Sequence, residues 1–481
     1  MPEGAIHTLG RRPDKCLTSL SDAVAATDLK DGATISFHHH LRNGDAVINT
    51  VVAMLAKAGL RDLHLAVTSL FPVHAPLIEH IQSGVIGRIS ASFISGPVGE
   101  AISRGILDDP VTLRSHGGRA RAIDLGEMPI DLAFVAAPAA DEMGNLSGRT
   151  GRAPCGTLGY PMVDVESARY VVAVTDTLAP FPVTPIDIAQ DKVDFVVVIP
   201  SIGDPDGIAS GATTPATDAL SLGIAENTAA VIAASGLLED GFSFQTGAGG
   251  ISLATAAAVG REMRARNITG SFACGGITGF HVDMLESGLF RALMDVQCFD
   301  LAAVSSYSRN ANHMAMSASA YAGPHVGGAV VDRLSAVVLG AAEVDVDFNV
   351  NVTTRAGGVL IGGSGGHADA AQGAQLTLIT TRLTAAGFPK IVPKVTTLTT
   401  PGQSVDVVVT EAGLAVNPAR AELYDRLVSA GLPVVSVHDL AAMAAQAADK
   451  QVPPRPKGPV VAVSEYRDGT VIDEIRRIDE A

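Results

Sequence analysis

The sequence predicts an α/β protein of two similar domains, each built on a mainly parallel sheet. Three observations carry that prediction. Strand-like and helix-like segments alternate along the chain, the pattern left by a parallel sheet with helical crossovers. Several strand-like segments are apolar throughout, as strands buried on both faces are. Midway, the order of segments restarts, so two halves of similar length follow one another; 481 residues exceed one ordinary domain.

The elements follow in order. Residues 33–37 read as a strand, 45–58 as an amphipathic helix, 63–68 as the next strand and 76–83 as the next helix. Residues 130–137 form an apolar strand end, and 170–175 and 195–199 repeat the pattern. The polar stretch GIASGATTPATD, residues 207–218, is the candidate linker, giving domains 1–212 and 213–481. Helix 218–234 then leads into strand 241–245, a glycine cluster and helix 253–266. Two loose parallels support an internal duplication: ISFHHHLRNGD against FSFQTGAGG, and DLAFVAAPAADEMGN against DVVVTEAGLAVNP. Near the C-terminus a Pro-rich connector, 451–459, precedes two strands around Asp468-Gly469, a closing β-hairpin.

Composition narrows the function. With 47% hydrophobic residues and 50 glycines but only 4% aromatics and no Trp, the chain suits closely packed helices and strands joined by tight turns. A net charge of −16 argues against nucleic acid or an anionic membrane as partner and reads as solubility. A locally basic site for an anionic small molecule stays compatible with it. Cys16, Cys155, Cys274 and Cys298 are too scattered for a C-x-x-C motif and too few for a disulfide scaffold, so reduced thiols are expected. Residues 1–15 lack an apolar signal core, and the longest apolar runs, such as 229–238, are too short and interrupted to span a bilayer. The expected location is the cytoplasm.

Three glycine clusters are read at strand-to-helix transitions: Gln245-Thr246-Gly247-Ala248-Gly249-Gly250, Gly275-Gly276-Ile277-Thr278-Gly279, and Gly362-Gly363-Ser364-Gly365-Gly366-His367. Such clusters let backbone N–H groups approach a phosphate or an oxyanion, although a tight turn alone explains each equally well. None carries the full dinucleotide fingerprint, and no G-x-x-x-x-G-K-[ST] loop is present, which disfavours hydride transfer and ATP hydrolysis. Two basic loops follow strand-like segments, His38-His39-His40-Leu41-Arg42 and Arg114-Ser115-His116-Gly117-Gly118-Arg119. Ligands gather beyond the carboxyl ends of strands in such sheets, so both loops are candidates to meet one anion there; solvated surface histidines are the alternative. Three consecutive histidines on an extended segment point to alternating sides, which disfavours a zinc site.

Longer blocks are more specific. TISFHHHLRNGD, LIEHIQSGVIGRIS, SHGGRA, CGTLGYPMVD, FSFQTGAGG, GGITGFHVDM, FNVNV, GGSGGHAD, VDVVVTEAGLAVNPAR and YRDGTVID together resemble the α subunits of bacterial citrate lyases, in order from Leu17 to the end. That family is related to the CoA-transferases. The resemblance implies two CoA-transferase-like domains with the active site between them. It implies an exchange in which an acetyl thioester on an acyl-carrier (γ) subunit plus citrate gives a citryl thioester plus acetate. A separate β subunit would then cleave the citryl thioester in an oligomeric lyase complex. No permanently bound cofactor and no metal is implied. The thiol donor would be a dephospho-CoA-type group on the carrier, or acetyl-CoA.

Related CoA-transferases place a nucleophilic Glu in a segment like H-[ST]-E-M; here the segment reads His281-Val282-Asp283-Met284. The shorter Asp283 carboxylate sets back any covalent enzyme thioester, by about 1.5 Å. The expected route is a mixed acetic–citric anhydride, with backbone N–H groups of Gly363, Ser364, Gly365 and Gly366 as oxyanion donors and Asp283 as an orienting or structural group. Substrate or CoA contacts are expected from His38, His39, His40, Arg42, His116, Arg119, Gln245, Gly247, Gly249, Gly250, His367 and Glu411, the last more a turn-stabilising residue than a nucleophile. Glu343 and Asp345 share a strand face and are candidates for the site floor or an inter-domain bond. The rival readings are a CoA-transferase for an acid such as citramalate, working through a covalent carboxylate, and a non-catalytic scaffold subunit.

Overall fold

The structure, a computed structural model, describes residues 14–38, 40–209, 214, 216–247 and 249–478. The first sheet runs from edge to edge as Cys16–Leu17, Phe195–Val198, Tyr170–Thr175, Leu132–Ala136, Thr34–His38, Leu63–Val67, Ile86–Ala91, Val111–Arg114, Val460–Glu465 and Val471–Arg476. The second runs His313–Ala315, Phe290–Cys298, Gly270–Ile277, Ser243–Thr246, Ala336–Gly340, Leu376–Thr380, Val407–Thr410 and Gly413–Val416. Only the final pair in each is antiparallel. The segments predicted as strands and helices appear within a few residues of their expected bounds.

Both sheets are wound the same way. In the first, the chain starts at Thr34–His38, adds three strands on one side, then returns to place Leu132–Ala136 on the other. In the second, it starts at Ser243–Thr246, adds three, and returns with Ala336–Gly340. Each sheet therefore has a switch point beside its first long strand. The starting strands are buried at every residue, and Phe37 stacks on Phe134 across the first switch point at 5.1 Å. A parallel sheet covered on both faces demands such continuous apolar runs.

The topology supports the duplication and corrects one of its sequence parallels. ISFHHHLRNGD does align with FSFQTGAGG, since both span the starting strand and the turn after it. DLAFVAAPAADEMGN, however, corresponds to residues 335–349 rather than to DVVVTEAGLAVNP. Asp141 accepts the N–H groups of Met143, Asn145 and Val183, and Asp345 accepts those of Asp347, Asn349 and Val395. Each Asp thus knots the turn after the switch strand, in one three-stranded sheet per half. Glu343 is equally local, accepting from Thr396 and Asn351. Neither acid serves the site floor or an inter-domain bond.

The C-terminal hairpin forms as expected but joins the first sheet, beside Val111–Arg114. That strand would otherwise be an open edge, and Arg114 pairs with Glu465 across the junction at 2.9 Å. Within the candidate linker, residues 210–213 and 215 lie outside the described residues, and with them the 212/213 boundary. Cys16, Cys155, Cys274 and Cys298 are all free thiols. Among the described residues no helix is long and apolar enough to cross a membrane.

Candidate functional site

The carboxyl ends of the two sheets face each other, and the third glycine cluster joins them. It does not follow a strand, contrary to expectation: residues 352–366 form an extended loop that reaches across to the first half. There the Ile94 N–H donates to the Gly362 carbonyl, the Gly365 N–H to the Ser92 carbonyl, and the His116 N–H to the Gly365 carbonyl. Asp369, on the short helix His367–Gly373, accepts from Ser115 Oγ and the Gly117 N–H, each at 2.9 Å. Glycine is needed for steric reasons. A Cβ at Gly363 would lie 2.3 Å from the Ser92 carbonyl oxygen, and one at Gly366 would lie 2.5 Å from the Tyr321 hydroxyl.

These contacts enclose a cavity of about 480 Å³ between the switch points. Arg42, Ser69, Phe71, Phe93, His116 and Tyr160 line it from the first half; Gln245, Gly247, Gly249, Gln297, Phe299, Tyr321 and residues 363–367 line it from the second. Arg42 stands just past the carboxyl end of Thr34–His38 with a left-handed φ of 54°. Its guanidinium lies over the Phe299 ring at 4.5 Å and the Phe71 ring at 5.4 Å, so the two halves clasp it. Burial lowers its pKa to about 10, which leaves it cationic at neutral pH.

Among the described lining residues Arg42 is the one permanent cation, and no Asp or Glu is present. The two lining histidines are neutral. Burial brings His116 down to about 3, helped by Arg119, and brings His367 down to about 4. His367 is also committed structurally, with Nε2–H donating to the Gly340 carbonyl and Nδ1 accepting from Thr400. Burial raises the phenols of Tyr160 and Tyr321 well above their ordinary value. Tyr321 accepts a hydrogen bond from the Gln245 side-chain amide at 2.8 Å and packs against Gly366. Ser364 Oγ accepts from the Ala368 N–H, leaving its own proton available.

The backbone donors differ from expectation in detail. The amides of Gly365 and Gly247 are bonded to the Ser92 and Val338 carbonyls, so neither can serve an oxyanion. Gly363, Ser364 and Gly366 have no such backbone partner among the described residues and remain candidate donors.

The two basic loops do meet one anion, but an internal one. Arg119 grips both oxygens of Asp164 at 2.8 Å, and His38 Nε2 donates to the same carboxylate at 2.7 Å. Burial opposes the Asp164 charge, yet Arg119 and His38 outweigh it and hold the acid well below the usual carboxylate range. Burial likewise keeps His38 neutral against the pull of Asp164, so the ion pair is Arg119–Asp164. His40 is buried beside Tyr160, with neither ring nitrogen partnered among the described residues, and it does not line the cavity. His38, His40 and Arg119 therefore buttress the site without lining it. His39 lies outside the described residues.

Three further residues lie away from the cavity, and for Asp283 this corrects the expected catalytic place. Asp283 is exposed on the outer face of helix Gly279–Glu286 and does not reach the cavity. Glu411 turns to the Leu383 N–H at 3.1 Å, the turn-stabilising role. Gly250 opens onto a neighbouring hollow rather than onto this cavity. Conversely, Phe71, Phe93 and Phe299 were not singled out from the sequence. Each follows the carboxyl end of a strand, a placement worth weighing where aromatics are only 4% of the chain. Tyr160 and Tyr321 arrive through loops and a five-residue helix, with no such signal.

Comparison with known proteins places these features. The family described as Citrate lyase, alpha subunit (CitF) matches residues 13–478. A citrate lyase α chain of Klebsiella pneumoniae is 48% identical over 468 residues, covering 97% of this chain and 92% of that protein. A crystal structure described as the α subunit of citrate lyase from Streptococcus mutans in complex with citrate matches with a TM-score of 0.95 at 46% identity, over 98% of this chain and 93% of that one. A 4-hydroxybutyrate CoA-transferase from Porphyromonas gingivalis shares the fold at 17% identity, with a TM-score of 0.57 over 90% of this chain and 96% of that one.

Proposed function

The chain belongs to the citrate lyase α-subunit family, and from that premise we propose that it exchanges acyl groups between a thioester and citrate. Acetyl thioester plus citrate gives citryl thioester plus acetate, the first half of the lyase reaction. The thiol is carried by acetyl-CoA or by the dephospho-CoA-type group of an acyl-carrier (γ) subunit, and a β subunit completes the multi-subunit complex.

One observation carries the mechanism: among its described lining residues the cavity offers a cation and hydrogen-bond donors, but no carboxylate and no group that titrates near neutral pH. A covalent route needs an enzyme carboxylate, and a hydrolytic route needs a base. Exchange through a mixed anhydride needs neither, because both nucleophiles are already anions. A citrate carboxylate, held by Arg42, attacks the acetyl carbonyl and forms a tetrahedral oxyanion. Collapse expels the thiolate and leaves an acetic–citric anhydride. The thiolate attacks the citryl carbonyl, and acetate departs with the bridging oxygen. The N–H groups of Gly363, Ser364 and Gly366 and the Ser364 hydroxyl would meet the oxyanion, each such donor being worth about 3 kcal/mol. Phe71, Phe93 and Phe299 exclude water that would hydrolyse the anhydride.

The test is to incubate the protein with acetyl-CoA and, separately, citrate, citramalate, malate and acetoacetate, then to identify the acyl-CoA by mass spectrometry. Citryl-CoA and an equivalent of acetate are expected. Preferential formation of another acyl-CoA, or none, would refute the assignment.

A further inference from the structure

A second hollow, of about 370 Å³, adjoins the cavity and has no part in the exchange as derived. The two share Gly249, Gly340 and Ala341 as a wall. On one side of the hollow stands the amino end of helix Gly250–Arg266, 17 residues long, with Gly249 at the cap position and no side chain capping its first-turn N–H groups. Such an end carries partial positive charge and unsatisfied donors. Ser252, in that first turn, is only 1% exposed, yet its Oγ has no hydrogen-bond partner among the described residues. A buried, unpartnered hydroxyl is costly unless something fills the place beside it.

Lys390 lines the same hollow. Burial lowers its pKa to about 8, against the pull of Glu411, whose carboxylate is engaged by the Leu383 N–H. Arg382 and Asp218 also line it and are paired with each other at 2.6 Å. Among the described lining residues Lys390 is therefore the cation not spent in an ion pair. A helix amino end, a free hydroxyl and an ammonium converging on one space make a receptor for a phosphate group.

We propose that this hollow binds the phosphate at the head of the pantetheine arm, while the thioester at the arm's other end lies in the cavity. The inference rests on the acyl-exchange reading. The arm would pass along the wall at Gly249 and Gly340, where the absence of side chains leaves room. Recognition of the phosphate would then be common to free CoA and to a carrier-bound prosthetic group.

Exchange is to be measured with acetyl-4′-phosphopantetheine and acetyl-pantetheine, which differ by the phosphate alone, in the native protein and in Lys390→Gln and Ser252→Ala. The native protein should favour the phosphorylated donor in kcat/KM by about tenfold or more. Both variants should reduce that ratio toward one, Lys390→Gln the further. The conservative Ser252→Ala keeps the test valid should Lys390→Gln fold poorly. A native ratio near one, or a ratio unchanged in the variants, overturns the proposal. So does a rise in KM for citrate in place of the donor effect, since the hollow would then belong to the acid. Absence of exchange with every donor in the native protein would overturn the acyl-exchange reading as well.

Discussion

At the scale of single residues, two contacts at the cavity decide most of the expected behaviour. Arg42 is the permanent cation among the described lining residues, and its guanidinium is desolvated between two aromatic rings. Arg42→Gln should raise the KM for citrate by about 10- to 100-fold, the worth of one charge-assisted hydrogen bond. Steady-state kinetics with citrate varied would read this directly. Gly363 acts differently, because a Cβ there would lie 2.3 Å from the Ser92 carbonyl and push the donor loop out of place. Gly363→Ala should lower kcat by about 100-fold, as misplacement by an ångström does, and should lower the melting temperature too, because the clash is with backbone. The sequence made the glycine cluster and Arg42 visible because glycine density and a basic run after a strand are local signals. Asp283 misled for a physical reason: its motif sits on a helix whose buried face is formed by His281, Val282, Met284 and Leu285, so the acid between them is turned outward.

At the scale of elements, the buried anions fix how the strands' loops are held. Asp164 ties Arg119 and His38 together, which means that helix His116–Asp124 and strand Thr34–His38 share one charge. Removing its partner leaves a buried carboxylate uncompensated, so Arg119→Ala should cost about 3–5 kcal/mol in denaturant unfolding. Because the folded-state pKa of Asp164 is depressed, its contribution is present above the unfolded value, near about 4, and is lost as pH falls below it. Asp369 behaves oppositely. Burial raises its pKa to about 6, against Arg467 and the donors at Gly117 and Ser115. The folded state thus holds its proton more tightly, and stability from this group falls as pH rises through the window between about 4 and 6. Unfolding measured across that window should lose this slope in Asp369→Asn; an unchanged slope would assign it elsewhere. Neither pairing was legible in the sequence, since Ser115 and Asp369 are brought together only when two remote segments fold onto each other.

At the scale of the whole molecule, the duplication places two switch points opposite one another, and the site belongs to neither half. Alternating apolar segments made the strands and the repeated order readable, because a doubly covered parallel sheet leaves that imprint in composition alone. What escaped the sequence was the crossing of segments between halves. The hairpin at 460–476 closes the first sheet's edge, and the loop at 352–366 carries the second half's donors to the first half's strand ends. The central claim is that citrate itself, and no enzyme carboxylate, attacks the acetyl thioester in that shared cavity. A single turnover with acetyl-CoA and citrate labelled with oxygen-18 in its carboxylates tests it most directly. Direct exchange delivers one labelled oxygen to the acetate released in that first turnover; unlabelled acetate, with the label retained on the protein, would contradict it.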